Sequence, residues 1–176
     1  MYKKPITILG INPGTKYMAV AVFRESDLQE SELREWSVKV FKGKWSAEKM
    51  KKILPVIDEI ISRYDVTILT VKKLHPARTS RQLNLLVKKM KDTAKRRKLK
   101  VCEYSIKQLE QSLCPGEKGN KKKLAEKVVR DYPVLIHELE KERIHRNAYY
   151  IRLFEAVALG MMNIKKHEKV THHQES

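Results

Sequence analysis

Residues 6–23 read ITILGINPGTKYMAVAVF, which is two apolar segments separated by a short polar one. The first segment, 6–11, is rich in β-branched residues and predicts a buried strand. The sequence Asn12-Pro13-Gly14-Thr15 consists of residue types that favour turns. Residues 18–23 predict a second strand, so the chain opens with a strand, a tight connection and another strand.

Further strands and helices are predicted after this opening. Residues 33–41 alternate between apolar and charged side chains and predict a third, half-exposed strand, which gives an antiparallel meander. The apolar segments 66–71 and 99–104 predict strands that alternate with helices, and right-handed crossovers should make these strands parallel. Helices are predicted over 47–63, 81–97, 106–113, 121–130, 133–142 and 149–164.

The predicted fold class is therefore α/β, with a five-stranded mixed sheet of three antiparallel strands followed by two parallel ones, flanked by helices. The 176 residues, 41% of them apolar, are enough for one domain with a core of its own. We predict a single domain over residues 1–165 and a polar, frayed C-terminal tail over 166–176.

The charge of the chain points to a polyanionic partner. Lys and Arg total 38 against 21 Asp and Glu, a formal net charge of +17. Residues 72–100 contain twelve Lys or Arg and one acid, Asp92, so much of this excess lies in one short stretch. A merely soluble cationic protein would have no reason for such clustering, and nucleic acid is the expected partner.

Other features of the sequence bear on location. Cys102 and Cys114 are too far apart for a CxxC motif and are interpreted as ordinary reduced residues. No signal peptide is recognisable at the start, and no apolar stretch is long enough to span a bilayer. We therefore expect a cytoplasmic protein that does not enter a membrane.

The sequence Gly10-Ile11-Asn12-Pro13-Gly14 resembles the opening of the RuvC-like Holliday-junction resolvases, whose first strand ends in Gly-Ile-Asp-Pro-Gly. The predicted order of strands and helices fits the same family over nearly the whole chain. The resemblance implies an RNase-H-like fold, DNA as the partner in preference to RNA, and Mg²⁺ or Mn²⁺ as the metal of an active member. It also implies a homodimer.

The resemblance further implies four metal-binding carboxylates, and three of them are replaced here. Asn12 matches the acid at the end of the first strand, Lys72 the acid that ends the fourth strand, and Arg152 the first acid of the last helix. Only Glu155 matches an acid of the family. Hard divalent cations prefer carboxylate oxygens, and an ammonium group repels them. We expect a catalytically inactive protein, a pseudo-nuclease without a cofactor.

Loss of the metal would leave phosphate binding possible, because Lys, Arg and backbone N–H groups supply most phosphate contacts. We expect Lys72 and Lys73 to contact the phosphate that metals would otherwise hold; the alternative is a solvated pair of lysines at a strand end. The outer face of the helix 81–97 is a second candidate. The predicted binding residues are Lys16, Lys72, Lys73, Arg78, Arg81, Lys88, Lys91, Lys95 and Arg96.

Glu155 lies in an almost wholly apolar segment and needs a partner if it is buried. Arg152, three residues earlier on the same helix, is the expected ion-pair partner. Residual binding of a single metal by Glu155 with Asn12 is the alternative. The tryptophans and tyrosines are scattered along the sequence, and no base-stacking platform is predicted from them.

Three functions remain open from the sequence. The first is a non-catalytic, RuvC-like protein that binds nucleic acid; a preference for branched or structured DNA rests on the family alone. The second is an active, structure-specific endonuclease, in which Asn12 or Lys72 would be engineered replacements of native acids or another acid, such as Glu103, would complete the site. The third is a module that interacts with RNA or with a ribonucleoprotein.

Overall fold

A computed structural model of the protein describes residues 4–25, 30–116, 118–146 and 148–174. The strands are β1 (Thr7–Asn12), β2 (Tyr17–Glu25), β3 (Ser31–Val40), β4 (Ile68–Lys72) and β5 (Lys100–Tyr104). The helices are α1 (Ala47–Tyr64), α2 (Arg81–Arg96), α3 (Ile106–Leu113), α4 (Lys121–Asp131), α5 (Ile136–His145) and α6 (Ala148–Gln174), and short 3₁₀ turns cover Pro76–Arg78 and Pro133–Leu135.

The five strands form one mixed sheet in the order β3-β2-β1-β4-β5. Strands β1, β2 and β3 pair antiparallel, whereas β4 runs parallel to β1 and β5 runs parallel to β4. The predicted five-stranded mixed sheet is confirmed. Strand β4 lies beside β1 and runs parallel to it, so the carboxyl ends of the two strands meet at one edge of the sheet.

The alternation of side chains along each strand divides the core between two faces. On β1, Ile8 belongs to the cluster that packs under α6, whereas Leu9 and Ile11 pack with residues of α1 and α2. The same alternation on β4 places Ile68 on the α6 face and Leu69 on the other. Asn12 and Lys72 come four residues after Ile8 and Ile68, an even number, and therefore point to the α6 side as well.

Glycines allow α6 to lie unusually close to the sheet. A Cβ atom at Gly10 of β1 would overlap the carbonyl oxygen of Ala156, and a Cβ atom at Gly160 would overlap the ring of Phe23 on β2. A larger residue at either position would push the helix away. This close approach brings the N-terminal half of α6, including Glu155, down onto the end of β1.

The C-terminal prediction needs correction. Residues after 165 were expected to form a frayed tail, but α6 continues to Gln174. No proline or glycine interrupts the segment 165–174, so nothing in its backbone chemistry forces the helix to end. The last two residues of the expected tail lie outside the described residues.

Within the part of the chain that the structure describes, no helix combines the length and the apolar character needed to cross a membrane.

Candidate functional site

The carboxyl ends of β1 and β4 bring two of the predicted site residues together. Ile11 of β1 pairs with Val71 of β4, so the next residues, Asn12 and Lys72, lie at the same level on neighbouring strands. Both point to the α6 face, where Glu155 projects from the helix above. Sequence positions that are far apart thus converge because parallel strands end at one edge of the sheet.

Glu155 is the centre of this site. Its side chain is buried, with the residue 2% exposed. The Oε2 atom accepts hydrogen bonds from Asn12 Nδ2 at 2.6 Å and from Lys72 Nζ at 2.8 Å. The Oε1 atom lies 3.4 Å from Lys121 Nζ, which is within ion-pair distance. Among the described residues, Oε1 has no hydrogen-bond partner of good geometry. Two ammonium groups therefore compensate one buried carboxylate.

The predicted ion pair between Arg152 and Glu155 is wrong. Arg152 Nη1 instead donates to the carbonyl oxygens of Pro13 and Tyr17, each at 3.4 Å, and so holds the turn between β1 and β2. Gly14 is needed in this turn, because a Cβ atom there would overlap the carbonyl oxygen of Tyr17. Lys72 and Lys121 reach the carboxylate, which leaves Arg152 free to bind the backbone of the turn.

Lys121 was not predicted to belong to the site. It is the first residue of α4, and the side chain of Asn120 caps this helix by accepting from Lys123 N at 2.8 Å. The three consecutive lysines 121–123 were visible in the sequence. The position of Lys121 over Glu155 follows from the packing of α4 against α6, which has no local sequence signal.

The donor set of the site does not fit the divalent metal that the family resemblance implies. Lys72 Nζ and the amide nitrogen of Asn12 both face Glu155 Oε2, on the side where a cation would have to bind. Counting Lys121, the formal charge around Glu155 is positive rather than negative. No group of three or more His, Cys, Asp or Glu side chains suited to a metal occurs among the described residues.

Glu103, the other acid considered for a metal site, is on the opposite face of the sheet. It pairs in register with Val71, which belongs to the core cluster under α1 and α2. Its Oε1 atom accepts from Lys91 Nζ of α2 at 2.8 Å. Glu103 therefore cannot join Glu155, and Lys91, one of the predicted binding residues, already has an anionic partner.

The remaining predicted binding residues are exposed, and those on α2 are spread along the whole helix. Arg78 and Arg81 follow the loop that leaves β4, so they lie towards the site, and Lys16 lies over the ring of Tyr17 with Nζ at 5.2 Å from its centroid. Lys95 and Arg96 are at the other end of α2, about 22 Å away along the helix at 1.5 Å per residue. The exposed members are Lys16, Lys73, Arg78, Arg81, Lys88, Lys95 and Arg96.

Comparison with known proteins identifies the family. The sequence matches the family model of the crossover junction endodeoxyribonuclease RuvC over residues 8–140, about three quarters of the chain. The chain belongs to the RuvC family. No curated protein is similar enough in sequence to count as a match.

Solved structures of RuvC and of a yeast resolvase have the same fold. RuvC of Thermus thermophilus is similar at a TM-score of 0.66 and 17% identity, over 88% of this chain and 91% of that chain. The same protein in complex with a Holliday junction substrate gives a TM-score of 0.64 at 18% identity, covering 88% and 90%. The yeast mitochondrial Holliday junction resolvase Ydc2 gives 0.64 at 11% identity, covering 96% and 81%.

Proposed function

We propose that this RuvC-family protein binds branched or structured DNA and does not cut it by two-metal chemistry. The observation that carries the proposal is the contact between Lys72 Nζ and Glu155 Oε2 at 2.8 Å. Two-metal cleavage needs a pocket that attracts two divalent cations about 4 Å apart. Lys72 is ion-paired with Glu155, the one acid that matches the family's carboxylates, and its positive charge opposes the binding of both cations.

The same lysines are suited to bind phosphate. Lys72 is 24% exposed and Lys121 57% exposed at the side chain, whereas Glu155 is 3% exposed. Each ammonium has three N–H donors, so each can contact Glu155 and still donate to a phosphate oxygen at the mouth of the site. The buried acid then fixes the positions of the two lysines, and the lysines face the DNA.

DNA is favoured over RNA as the partner, and branched DNA over plain duplex, because of the family. Among the similar structures, the T. thermophilus protein and the fowlpox virus resolvase are each described in complex with Holliday junction DNA. Arg78 and Arg81, which follow the loop that leaves β4, add phosphate contacts that do not depend on sequence, whereas the rest of α2 packs on the opposite face of the sheet. A homodimer and a cytoplasmic location stay predictions.

The proposal is tested with a labelled four-way junction, a duplex of the same length and an RNA duplex. Binding is measured in a chelator and in Mg²⁺ or Mn²⁺ at matched ionic strength, and nicking is followed on denaturing gels. We expect the junction to bind most tightly, equally in chelator and in metal, without nicking. Metal-dependent nicking that disappears in Glu155→Ala would overturn the proposal.

A salt titration separates nucleic acid from a protein partner. A protein that neutralises many phosphates loses affinity steeply as salt rises, with a slope set by the number of contacts. We expect a steep slope for the junction. A preference for the RNA duplex across the titration would instead assign the cationic surface to RNA.

A further inference from the structure

Three tyrosines and a histidine form a row of aromatic side chains, termed here the aromatic row: Tyr17, Tyr149, Tyr150 and His145. The ring centroids of Tyr17 and Tyr149 are 6.1 Å apart, and those of Tyr149 and Tyr150 are 5.1 Å apart, both in edge-to-face geometry. His145 stacks on Tyr150 with centroids 6.4 Å apart and an angle of 24° between the rings.

The aromatic row begins at the edge of the site described above. The backbone carbonyl oxygen of Tyr17 accepts from Arg152, whose side chain also contacts the turn after β1, so Tyr17 lies beside that turn. Tyr149 and Tyr150 precede Glu155 by six and five residues on α6, which is about 8 Å along the helix axis. The row therefore extends from the mouth of the site towards the N-terminus of α6.

The exposure of these rings differs from that of core aromatics. Phe23 and Phe154 are fully buried, whereas the three tyrosines are half-buried and His145 is exposed. One part of each tyrosine packs against the core cluster under α6. Each of the three tyrosines as a whole residue is nevertheless partly exposed.

Cationic side chains accompany the aromatic row. Lys16 lies over the ring of Tyr17, and Arg146, directly after His145, is exposed. Aromatic rings beside a cationic groove are the combination with which proteins bind nucleic acid whose bases are unpaired, because every base can stack on a ring and every phosphate can meet a cation.

We propose that the aromatic row stacks on nucleobases left unpaired or unstacked next to the phosphate held by Lys72 and Lys121. The inference rests on the proposed DNA binding. It adds that unpaired bases are the feature of the ligand by which the protein distinguishes a branch from a duplex. In a perfect duplex the bases stack on each other and offer no free face. At a branch or a gap, a base can leave the stack and pack on Tyr149 or Tyr150.

The test compares a duplex with the same duplex that carries a short unpaired stretch containing 2-aminopurine, whose fluorescence falls when the base stacks. We expect the wild-type protein to quench this fluorescence at saturation and to bind the interrupted duplex more tightly than the intact one. Tyr150→Phe keeps an aromatic ring and should keep both properties. In Tyr150→Leu the preference for the interrupted over the intact duplex should fall about tenfold, the loss expected for one stacked base. The affinity for the intact duplex should not change.

A matched control is Tyr132→Leu. Tyr132 packs edge-to-face on Phe23 with centroids 5.3 Å apart and belongs to the same core cluster, but it is outside the aromatic row. This variant should lower thermal stability without changing the preference. An unchanged preference in Tyr150→Leu would show that the row only packs the core, and would overturn the inference.

Other outcomes separate this inference from the proposed function. If Tyr150→Leu does not fold, the wild-type measurement decides: saturated binding without quenching overturns the stacking. Loss of self-association in Tyr150→Leu would show that the aromatic row binds a second copy of the chain. This result would also overturn the inference. If the wild-type protein binds neither DNA, the proposed DNA binding itself fails.

Discussion

Lys72 Nζ lies 2.8 Å from Glu155 Oε2, which joins the end of β4 to the N-terminal part of α6. This ion pair occupies the place where the family resemblance implies two carboxylates and a metal between them. The site keeps one acid, Glu155, and the two lysines that contact it reverse the charge that a divalent metal site requires. Four of the five predictions below test the energetic and functional consequences of that reversal.

Lys72→Met should destabilise the protein by about 3 kcal/mol, because it leaves the buried Glu155 carboxylate without its best-aligned cation. Lys73→Met is the matched control, since Lys73 is exposed next to Lys72, and its effect should stay within about 0.5 kcal/mol. Urea unfolding measures both. Equal destabilisation by the two variants would show that Glu155 does not depend on Lys72.

Lys121→Gln should weaken binding of a four-way junction several-fold and reduce the slope of affinity against salt by about one, the value for one lost phosphate contact. Lys127→Gln removes a cation from the same helix, but Lys127 is paired with Asp131 at 2.9 Å. We expect this control to bind like the wild type. A loss of the same size in both variants would indicate a general effect of charge rather than a contact at the site.

The double variant Asn12→Asp with Lys72→Glu should recover a metal site, because it places two carboxylates beside Glu155 on the same face. Saturating Mn²⁺ should raise its melting temperature by about 5 °C, the effect of binding at a concentration far above the dissociation constant. Asn12→Asp with Lys73→Glu has the same net charge, but its second acid is off the site. A shift of equal size in that control would mean that Mn²⁺ binds elsewhere.

Glu35, on the edge strand β3, should contribute to the acid sensitivity of the protein. Burial acts to raise the pKa of its carboxyl, but a hydrogen bond from Tyr64 Oη at 2.7 Å and the nearby Lys39 ammonium outweigh burial and leave the pKa below its ordinary value of 4.5. A depressed folded-state pKa adds stability that is present above the ordinary pKa and is lost as the pH falls through the folded-state value.

Glu35→Gln should remove this contribution. The free energy of unfolding of the variant should therefore fall less steeply than that of the wild type between neutrality and the acid side of the ordinary carboxyl pKa. Urea unfolding across this range measures the difference. Parallel curves for the two proteins would contradict the assignment.

The sequence predicted the fold because the relevant signals are local. The β-branched segments, the turn at Pro13-Gly14 and the apolar periodicity of the helices each lie within a few neighbouring residues, and their order is sufficient for the mixed sheet. The convergence of Asn12, Lys72 and Glu155 was also expected, through the family resemblance. The predicted end of the last helix, at residue 164, was wrong. A polar segment without a helix breaker gives no clear signal for helix or for irregular structure.

Contacts made by tertiary packing could not be predicted. Lys121 is separated from Glu155 by α5, and Arg152 binds the carbonyl oxygens of a turn that lies at the other end of the sequence. The aromatic row likewise joins Tyr17 to Tyr149 through the packing of α6 on the sheet. Sequence spacing alone suggested scattered tyrosines, because it contains no information on which side chains meet in three dimensions.

The most direct test of the central claim is a crystal structure of the wild-type protein soaked in Mn²⁺, with an anomalous difference map. We predict that Lys72 Nζ stays in contact with Glu155 and that no manganese peak occurs between Asn12 and Glu155. A pair of manganese peaks at that position, with Lys72 displaced, would contradict the account.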